Sequence, residues 1–256
     1  MLQRVAYKYP LHLYLQQLAM KTVYHAANSR GHQDHGWLVA NHSFSFANWH
    51  NPERVHFGAL RVLNDDYVAP SRGFSTHPHD NMEIVTIPLV GDLTHQDSMG
   101  HSAVICEGDI QVISAGTGIY HSEQNKRSDK QVELLQLWIF PNQQNVHPRY
   151  DQISIRDLKK ENAFYQILSP DEEDAGSWIH QKAWMHLGDF TQKTENNYSL
   201  GAEGNGVYIF VIEGSATVGE HQLAKRDALG VWDTANVNIT AAENSRLLLI
   251  DVPLKF

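Results

Sequence analysis

The sequence predicts an all-β protein made of two similar barrels in tandem, from its strand pattern, its lack of helical pattern and an internal repeat. Short runs rich in Val, Ile, Leu, Tyr and Phe recur along the chain, bounded by Gly, Pro and Asn-Asp. Clear examples are GALRVLNDD, EIVTIPLVGDLTHQD, GDIQVISAG, ELLQLWIFP, GVYIFVIEGSATVGE and SRLLLIDVP. Strands of this length and spacing, without sizeable amphipathic helices between them, are typical of a β-sandwich or barrel.

The repeat divides the chain into two halves. It is seen when IPLVGDLTHQD is placed over IFVIEGSATVGE, so that Gly91 matches Gly214. A second alignment places GDIQVISAGTGIYHSE over RDALGVWDTANVNITAAE, so that Asp109 matches Asp227, after one gap that a hairpin loop absorbs. SIRDLKKENAF and SPDEEDAGSW then read as a link or short helices between the halves. The predicted division is residues 1–22 as a poorly ordered N-terminal extension, 23–150 as the first barrel and 151–256 as the second.

Composition limits the partners and the compartment. A 42% hydrophobic and 19% charged composition is that of an ordinary globular protein. The net charge of -9, with no basic run longer than Lys159-Lys160, argues against binding to nucleic acid or an anionic membrane surface. The one cysteine excludes an internal disulfide, and no run approaches the ~20 apolar residues of a membrane span. We expect a cytoplasmic protein, with Met20 as a more natural start than Met1.

Two short stretches carry paired candidate metal ligands. In GFSTHPHDNMEIVT, His77, His79 and Glu83 share one parity and would face the same way along a regular strand. In AGTGIYHSEQN, His121 and Glu123 are again two residues apart. Two strands of one barrel can thus direct three imidazoles and a carboxylate to one point, a set that suits Fe(II), Mn, Ni, Cu or Zn. With 16 histidines in the chain, each pair is expected roughly once by chance, so the surrounding residues must decide.

The surrounding glycines make the pairs specific. G-x3-H-x-H-x3-E-x7-G extends from Gly73 to Gly91, and G-x5-S-x-G-x4-H-x3-N extends from Gly108 to Asn125. Glycine permits the tight turns of barrel corners, where a Cβ would clash. The two stretches resemble the two cupin motifs, with Ser114 where cupins commonly have proline.

More specifically, the chain resembles the pirin family, and within it the bacterial pirin-like quercetinases, from about residue 23 to the C-terminus. The segments that carry the resemblance are RGHQDHGWL, SFSFANW, ALRVLNDD, GFSTHPHDNMEI, HQDSMGH, SAGTGIYHSE and PRYDQ. The resemblance implies two tandem cupin barrels with one metal, usually iron, in the first. It also implies His77, His79, His121 and Glu123 as ligands. In most cupins the first-motif glutamate, here Glu83, is the ligand, and the pirin pattern leaves it a supporting or structural role.

The implied activity is that of a quercetin 2,3-dioxygenase. Such an enzyme cleaves the heterocycle of a flavonol with O2 and releases carbon monoxide, with Glu123 as ligand and acceptor of the hydroxyl proton. The implied cofactor is one divalent ion, Fe(II) by preference, with Cu, Ni, Mn, Co or Zn also suited to the ligands. An alternative function is a metal- or redox-dependent regulatory protein with a protein partner. A closed structural metal site is a third, which a His3Glu set disfavours because structural zinc sites are usually rich in thiolates.

The second half provides an internal control. By counting from the aligned residues, the four candidate ligands correspond to apolar residues, namely Leu200, Ala202, Ile239 and Ala241. A scaffold that lacks these polar residues in one copy does not need them for folding. The second barrel is therefore predicted to bind no metal.

The remaining candidates receive structural interpretations. The histidines predicted to lie in loops or on strand surfaces are His25, His32, His35, His42, His50 and His56. His95 and His101 flank QDSMG, a predicted hairpin loop. They are interpreted as loop residues, with contact to a bound ligand as the less favoured alternative. The aromatic residues of GWLVANHSFSFANW are predicted to pack in the core rather than to form walls for a planar substrate. Asn-Asp-Asp at 64–66 is predicted to be a turn.

Overall fold

The computed structural model describes residues 20–256, and nearly all of its regular structure is β-strand, which confirms the all-β prediction. Within that range the only helix is the 3-10 turn Ala27–Ser29, and no helix could cross a membrane. The predicted linker segments contain turns and strands rather than helices. Most of the predicted N-terminal extension lies outside the described residues.

The first barrel consists of a seven-stranded sheet and a four-stranded sheet. With strands numbered in chain order, the large sheet has the spatial order β12 (Arg149–Ser154), β9 (Asp109–Ser114), β6 (Glu83–Val90), β11 (Val132–Ile139), β4 (Leu60–Val68), β3 (Leu38–His42) and β2 (Gly31–Asp34). The small sheet has the order β5 (Gly73–His79), β10 (Ile119–Gln124), β7 (Leu93–Asp97) and β8 (Ser102–Ile105). The strands in both sheets pair antiparallel.

The second barrel repeats this arrangement. Its large sheet has the order β1 (Lys21–His25), β20 (Ala228–Trp232), β17 (Asn205–Glu213), β22 (Ser245–Pro253), β15 (Trp184–Phe190), β13 (Phe164–Ser169) and β14 (Ser177–Trp178). Its small sheet has the order β16 (Thr194–Ser199), β21 (Asn236–Ala241), β18 (Ala216–Val218) and β19 (His221–Leu223). Only β13 and β14 pair in parallel among the described strands. Two tandem cupin barrels, as predicted, are the architecture of the protein.

The two large sheets share one hydrophobic core, which we call the seam. Alternate residues of β6, such as Val85 and Ile87, lie in the same buried cluster as Phe210 and Ile212 of β17. The opposite face of each large sheet packs inside its own barrel, as Val211 of β17 does in a separate cluster. Strands buried on both faces read as nearly continuous apolar runs, which explains EIVTIPLV and GVYIFVI.

Strand pairing crosses the predicted domain boundaries. β1 begins at Lys21, inside the predicted extension, and pairs with β20 of the second barrel, Lys21 opposite Trp232. β12 spans the boundary predicted between residues 150 and 151, and pairs with β9 from Arg149 to Ser154. The division of the chain into these three parts stays a prediction. The pairing of β1 has no local sequence signature, because its partner strand lies about 200 residues further along the chain.

The turn predicted at residues 64–66 is wrong, because Asn64, Asp65 and Asp66 are buried in the middle of β4. Alternation along the strand separates them by face. Asp65 shares its parity with Leu63, a seam residue. There its Oδ2 lies 3.1 Å from Nη1 of Arg30 and 3.4 Å from Nε of Arg226, so that a carboxylate of the first barrel pairs with a guanidinium of the second.

Glu83 also faces the seam. It shares its parity with Val85 on β6, and its Oε2 accepts a hydrogen bond of 2.7 Å from Oγ of Ser114. The backbone N–H of His180, from the second half, donates to the same carboxyl group. Burial, opposed by these hydrogen bonds, raises the pKa of Glu83 to about 7.

Replacing Asp65 with Asn is expected to destabilise the protein by about 3 kcal/mol, because the buried guanidinium groups of Arg30 and Arg226 lose the buried carboxylate nearest to them. Urea unfolding of the purified variant measures this change. Asp129→Asn is the matched control, because Asp129 pairs with Arg127 at an exposed position and such pairs contribute little. Equal stabilities of the two variants would contradict the role assigned to the buried group.

Replacing Glu83 with Gln is expected to reduce the dependence of stability on pH. The folded state holds the Glu83 proton up to a pKa of about 7, above the usual 4.5, so the free energy of unfolding falls as pH rises through that interval. Relative to wild type, Glu83→Gln should gain roughly 3 kcal/mol of stability between pH 4.5 and 8. Thermal or urea unfolding at several pH values tests this, with the exposed Glu195→Gln as control. Parallel pH profiles for wild type and Glu83→Gln would refute it.

Candidate metal centre

Strands β5 and β10 bring three of the predicted ligands together. His77 and His79 lie on the inner face of β5, and His77 pairs directly with His121 on β10. On β10 the alternation is complete, since His121 is 1% exposed whereas Tyr120 is 57% exposed. The His77 and His121 ring centroids are 4.4 Å apart, and each is 4.9 Å from that of His79.

The three imidazoles have the properties of a metal site. Their ligand nitrogens all lie within 4.8 Å of one another. Nε2 of His79 and both ring nitrogens of His121 are buried without a hydrogen-bond partner in residues 20–256. Nδ1 of His77 lies 2.8 Å from the carbonyl oxygen of Ser75, which leaves its Nε2 free to ligate. Buried unpaired nitrogens cost free energy, and a cation among them removes that cost. The donor set therefore fits a divalent transition metal.

The charge state of the site also favours a metal. Burial, together with the neighbouring His77, lowers the pKa of His79 to about 4. Burial and the neighbouring imidazoles of His77, His79 and His95 lower the pKa of His121 to about 3. Neutral imidazole is the form that ligates, so these two side chains need no deprotonation near neutral pH.

Glu123 lies beside this group but outside the 4.8 Å cluster of ligand atoms. The register between β10 and β5 shifts after His121, with the extra residue on β5, so that Glu123 pairs with Phe74; Glu123 is 2% exposed. Nε2 of Gln136 donates to its two carboxylate oxygens, at 3.2 and 3.0 Å, and Oγ1 of Thr86 lies 3.5 Å away. Burial raises the pKa of Glu123, and the hydrogen bonds from Gln136 oppose that rise.

Glu83 does not join the histidines, and the parity expected for it is wrong. β5 ends at His79, and the chain turns through Asn81, which has a φ of 44°. β6 then begins in the large sheet, so alternation on β5 does not continue to Glu83. Its carboxyl group faces the seam on the other side of that sheet.

A cavity of about 610 Å³ opens beside the histidines. His77, His79 and Glu123 line one part of it. Its aromatic walls are Trp37, Phe46, Phe74 and Trp138, and its polar lining includes Asn64, Asp66, Arg72 and Gln136. The Trp138 ring meets the His79 ring edge to face, with centroids 4.8 Å apart. A cavity that combines four large aromatic side chains with polar groups is suited to a planar aromatic ligand that carries polar substituents.

The aromatic segment near residue 40 divides between core and cavity. Phe44 is 1% exposed and packs in the seam, as predicted. Trp37 and Phe46 line the cavity instead. The prediction of core packing is thus wrong for Phe46, whereas Trp37 both lines the cavity and packs against a buried cluster that includes Leu38. Phe44 and Phe46 follow the end of β3 at His42, so strand alternation does not determine which way they face.

Sequence reasoning missed Gln136 and Trp138. Both face the barrel interior from β11, where Nε1 of Trp138 donates to Oε1 of Gln136 at 3.1 Å. That bond directs the Gln136 amide nitrogen towards Glu123. The available signal was a single glutamine inside the apolar run ELLQLWIF, where a polar side chain requires a partner.

Several other histidines are not where the sequence suggested. His25 and His42 were predicted to lie at the surface but are buried. Nδ1 of His25 lies 2.8 Å from the Tyr208 hydroxyl oxygen, which explains how its burial is tolerated. His95 is fully buried, its ring centroid 5.4 Å from that of His121, and its Nε2 lies 3.1 Å from Asp97.

The second barrel corrects two of the four correspondences used as an internal control. With Ile239 as the counterpart of His121, the strand register gives Asn196 as the counterpart of His77, because Ile239 pairs with Asn196. In the same way Tyr198 replaces His79. Counting along the chain failed because the connection at 200–204 is longer than that at 80–82. That the second barrel binds no metal stays a prediction.

The sequence matches two protein families. Residues 23–139 match the Pirin family, and residues 166–252 match the quercetinase C-terminal cupin domain. The chain is 40% identical over 227 residues to the quercetin 2,3-dioxygenase of Escherichia coli K12, and the alignment covers 89% of this chain and 96% of that protein. It is 37% identical over 222 residues to a pirin-like protein of Caulobacter vibrioides, covering 86% of this chain and 95% of the relative.

Solved structures agree with these matches. The bacterial pirin YhhW of Escherichia coli, in complex with nickel(II), superposes with a TM-score of 0.86 at 37% identity, over 91% of this chain and 99% of that one. The quercetin 2,3-dioxygenase of Acinetobacter baumannii shares the fold, with a TM-score of 0.73 at 20% identity, over 91% of this chain and 79% of its own. From its strand architecture, its histidine group and these similarities together, the chain belongs to the pirin family of bicupin proteins.

Proposed function

We propose that this protein is a metal-dependent dioxygenase that cleaves the heterocycle of a flavonol such as quercetin with O2 and releases carbon monoxide. The observation that carries the proposal is the group of three imidazoles, with unpartnered buried nitrogens, beside an aromatic-walled cavity. Relatives named quercetin 2,3-dioxygenase that align with most of the chain support the same reaction.

The proposed ligands of one divalent ion are His77, His79, His121 and Glu123. The nickel complex of a related pirin supports a divalent metal in this family. Fe(II) is our choice for the native ion, and the same donors also suit Cu, Ni, Mn, Co and Zn. When bound, such an ion acts as a Lewis acid and lowers the pKa of a coordinated hydroxyl group.

The chain's own residues bind and orient the substrate. Trp37, Phe74 and Trp138, which line the cavity, contact its flat rings and exclude water from them. Glu123 accepts the proton of the flavonol 3-hydroxyl, a role that its raised pKa supports because a buried carboxylate is a stronger base than an exposed one. Gln136 holds the Glu123 carboxylate in place through its amide.

The cavity separates this proposal from its two rivals. A closed structural metal site needs no space beside its ligands, and neither does a regulatory protein that presents an outer surface to a partner. An aromatic cavity of about 610 Å³ that reaches the histidines favours an enzyme with a small-molecule substrate.

Replacing His77 with Ala is expected to remove the metal and with it the activity, because the group loses one of its three imidazole donors. Metal content per chain, loss of quercetin absorbance and carbon monoxide release under oxygen measure the effect. His147→Ala is the control, since His147 is exposed outside the group and should leave both metal and activity unchanged. Turnover that survives both chelation and His77→Ala would exclude the proposed mechanism.

Replacing Gln136 with Leu is expected to lower kcat/KM, metal affinity or both by roughly 10- to 100-fold, because Glu123 loses its orienting donor. Steady-state kinetics and metal titration measure these quantities. Gln131→Leu is a matched control. Gln131 is exposed just before β11, and its Nε2 donates to a carboxylate oxygen of Glu133 at 3.1 Å. If both variants behave like wild type, Gln136 has no part in holding Glu123.

A further inference from the structure

Asp66 is a buried carboxyl group in the cavity wall without a partner for one of its oxygens. It is 5% exposed and lines the cavity, and its Oδ1 is buried with no hydrogen-bond partner in residues 20–256. A buried carboxyl oxygen without a partner destabilises the folded state, so the requirements of folding do not explain its presence here.

The neighbours of Asp66 on β4 do not present an unpaired carboxyl oxygen to the cavity, although Oδ1 of Asp65 is also unpartnered within the described part of the chain, because Asp65 faces the seam. Oδ1 of Asn64 lies 2.8 Å from Nδ1 of His42, and Oδ2 of Asp65 lies near two guanidinium groups. Of these three residues, only Asp66 both lines the cavity and has an unpaired carboxyl oxygen. Its burial, with further contributions from Asp65 and Glu123, raises its pKa well above the usual value. A protonated carboxyl group both donates and accepts a hydrogen bond, as a hydroxyl-bearing ligand requires.

The position of Asp66 separates it from the metal group along the wall. On β4, Asn64 pairs with Gln136, the residue that contacts Glu123, whereas Asp66 pairs with Leu134 two residues further on. Two residues along a strand correspond to about 7 Å. A ligand that reaches Glu123 with one oxygen can therefore place a more distant ring hydroxyl near Asp66, between the aromatic walls.

We propose that Asp66 determines substrate specificity by hydrogen bonding to a ring hydroxyl remote from the metal group. The cavity would then select polyhydroxylated planar aromatics over flat aromatics that carry only the metal-binding hydroxyl. This inference rests on the proposed function, and it adds the feature of the substrate that the protein recognises.

The test compares the binding of two flavonols to the metal-loaded protein without oxygen, so that binding is measured apart from turnover. Quercetin carries ring hydroxyls, and 3-hydroxyflavone has the same core and 3-hydroxyl without them. Wild type should bind quercetin at least about tenfold more tightly, the value of one good hydrogen bond. Asp66→Leu and Asp66→Ala should lose that preference, with metal content per chain and affinity for 3-hydroxyflavone unchanged or higher.

Stability provides a second readout that needs no substrate. If Asp66 is kept for a ligand, Asp66→Leu should raise the Tm, because an unpartnered carboxyl group is removed from the interior. The exposed Asp129→Leu should change neither Tm nor preference. A preference for quercetin that persists in both Asp66 variants overturns the inference alone, as does a lowered Tm in both. Failure of wild type to bind either flavonol overturns the proposed function and the inference with it.

Discussion

Two seven-stranded sheets pack against each other through the middle of the molecule, and this contact constrains every other part of it. Each sheet also covers a four-stranded sheet with its opposite face, so its central strands have no side that faces solvent. A polar residue on such a strand must therefore find a partner or bind a ligand. Asp65 and Glu83 find partners in the seam, whereas Gln136 and Asp66 face the cavity of the first barrel.

Much of the fold could be predicted because strand patterns are local. Runs buried on two faces stay apolar, and glycines mark many of the turns between them, so the all-β class and the barrel duplication are visible in the sequence. The grouping of His77, His79 and His121 could be predicted for a similar reason. Side chains two residues apart on one strand share a face, and the glycine-framed spacing identifies two strands of one barrel.

What could not be predicted depends on where a strand ends and what lies across from it. Parity suggested that Glu83 would join the histidines, yet the left-handed turn at Asn81 moves the chain into another sheet. Residues 64–66 have turn propensity, but pairing with β11 and the buried contacts of their side chains override that propensity in β4. The part played by Gln136 depends on a contact across the barrel, which no local pattern encodes.

The placement of β1 has a consequence for how the protein is made. This strand pairs with residues 228–232, which the ribosome adds some 200 residues after β1. At about 5–20 residues per second, β1 waits on the order of 10–40 s before its partner emerges. During that interval its backbone donors are open to water or to a sister polypeptide on the same messenger, so exchange of strands between nascent molecules is the characteristic hazard of this topology.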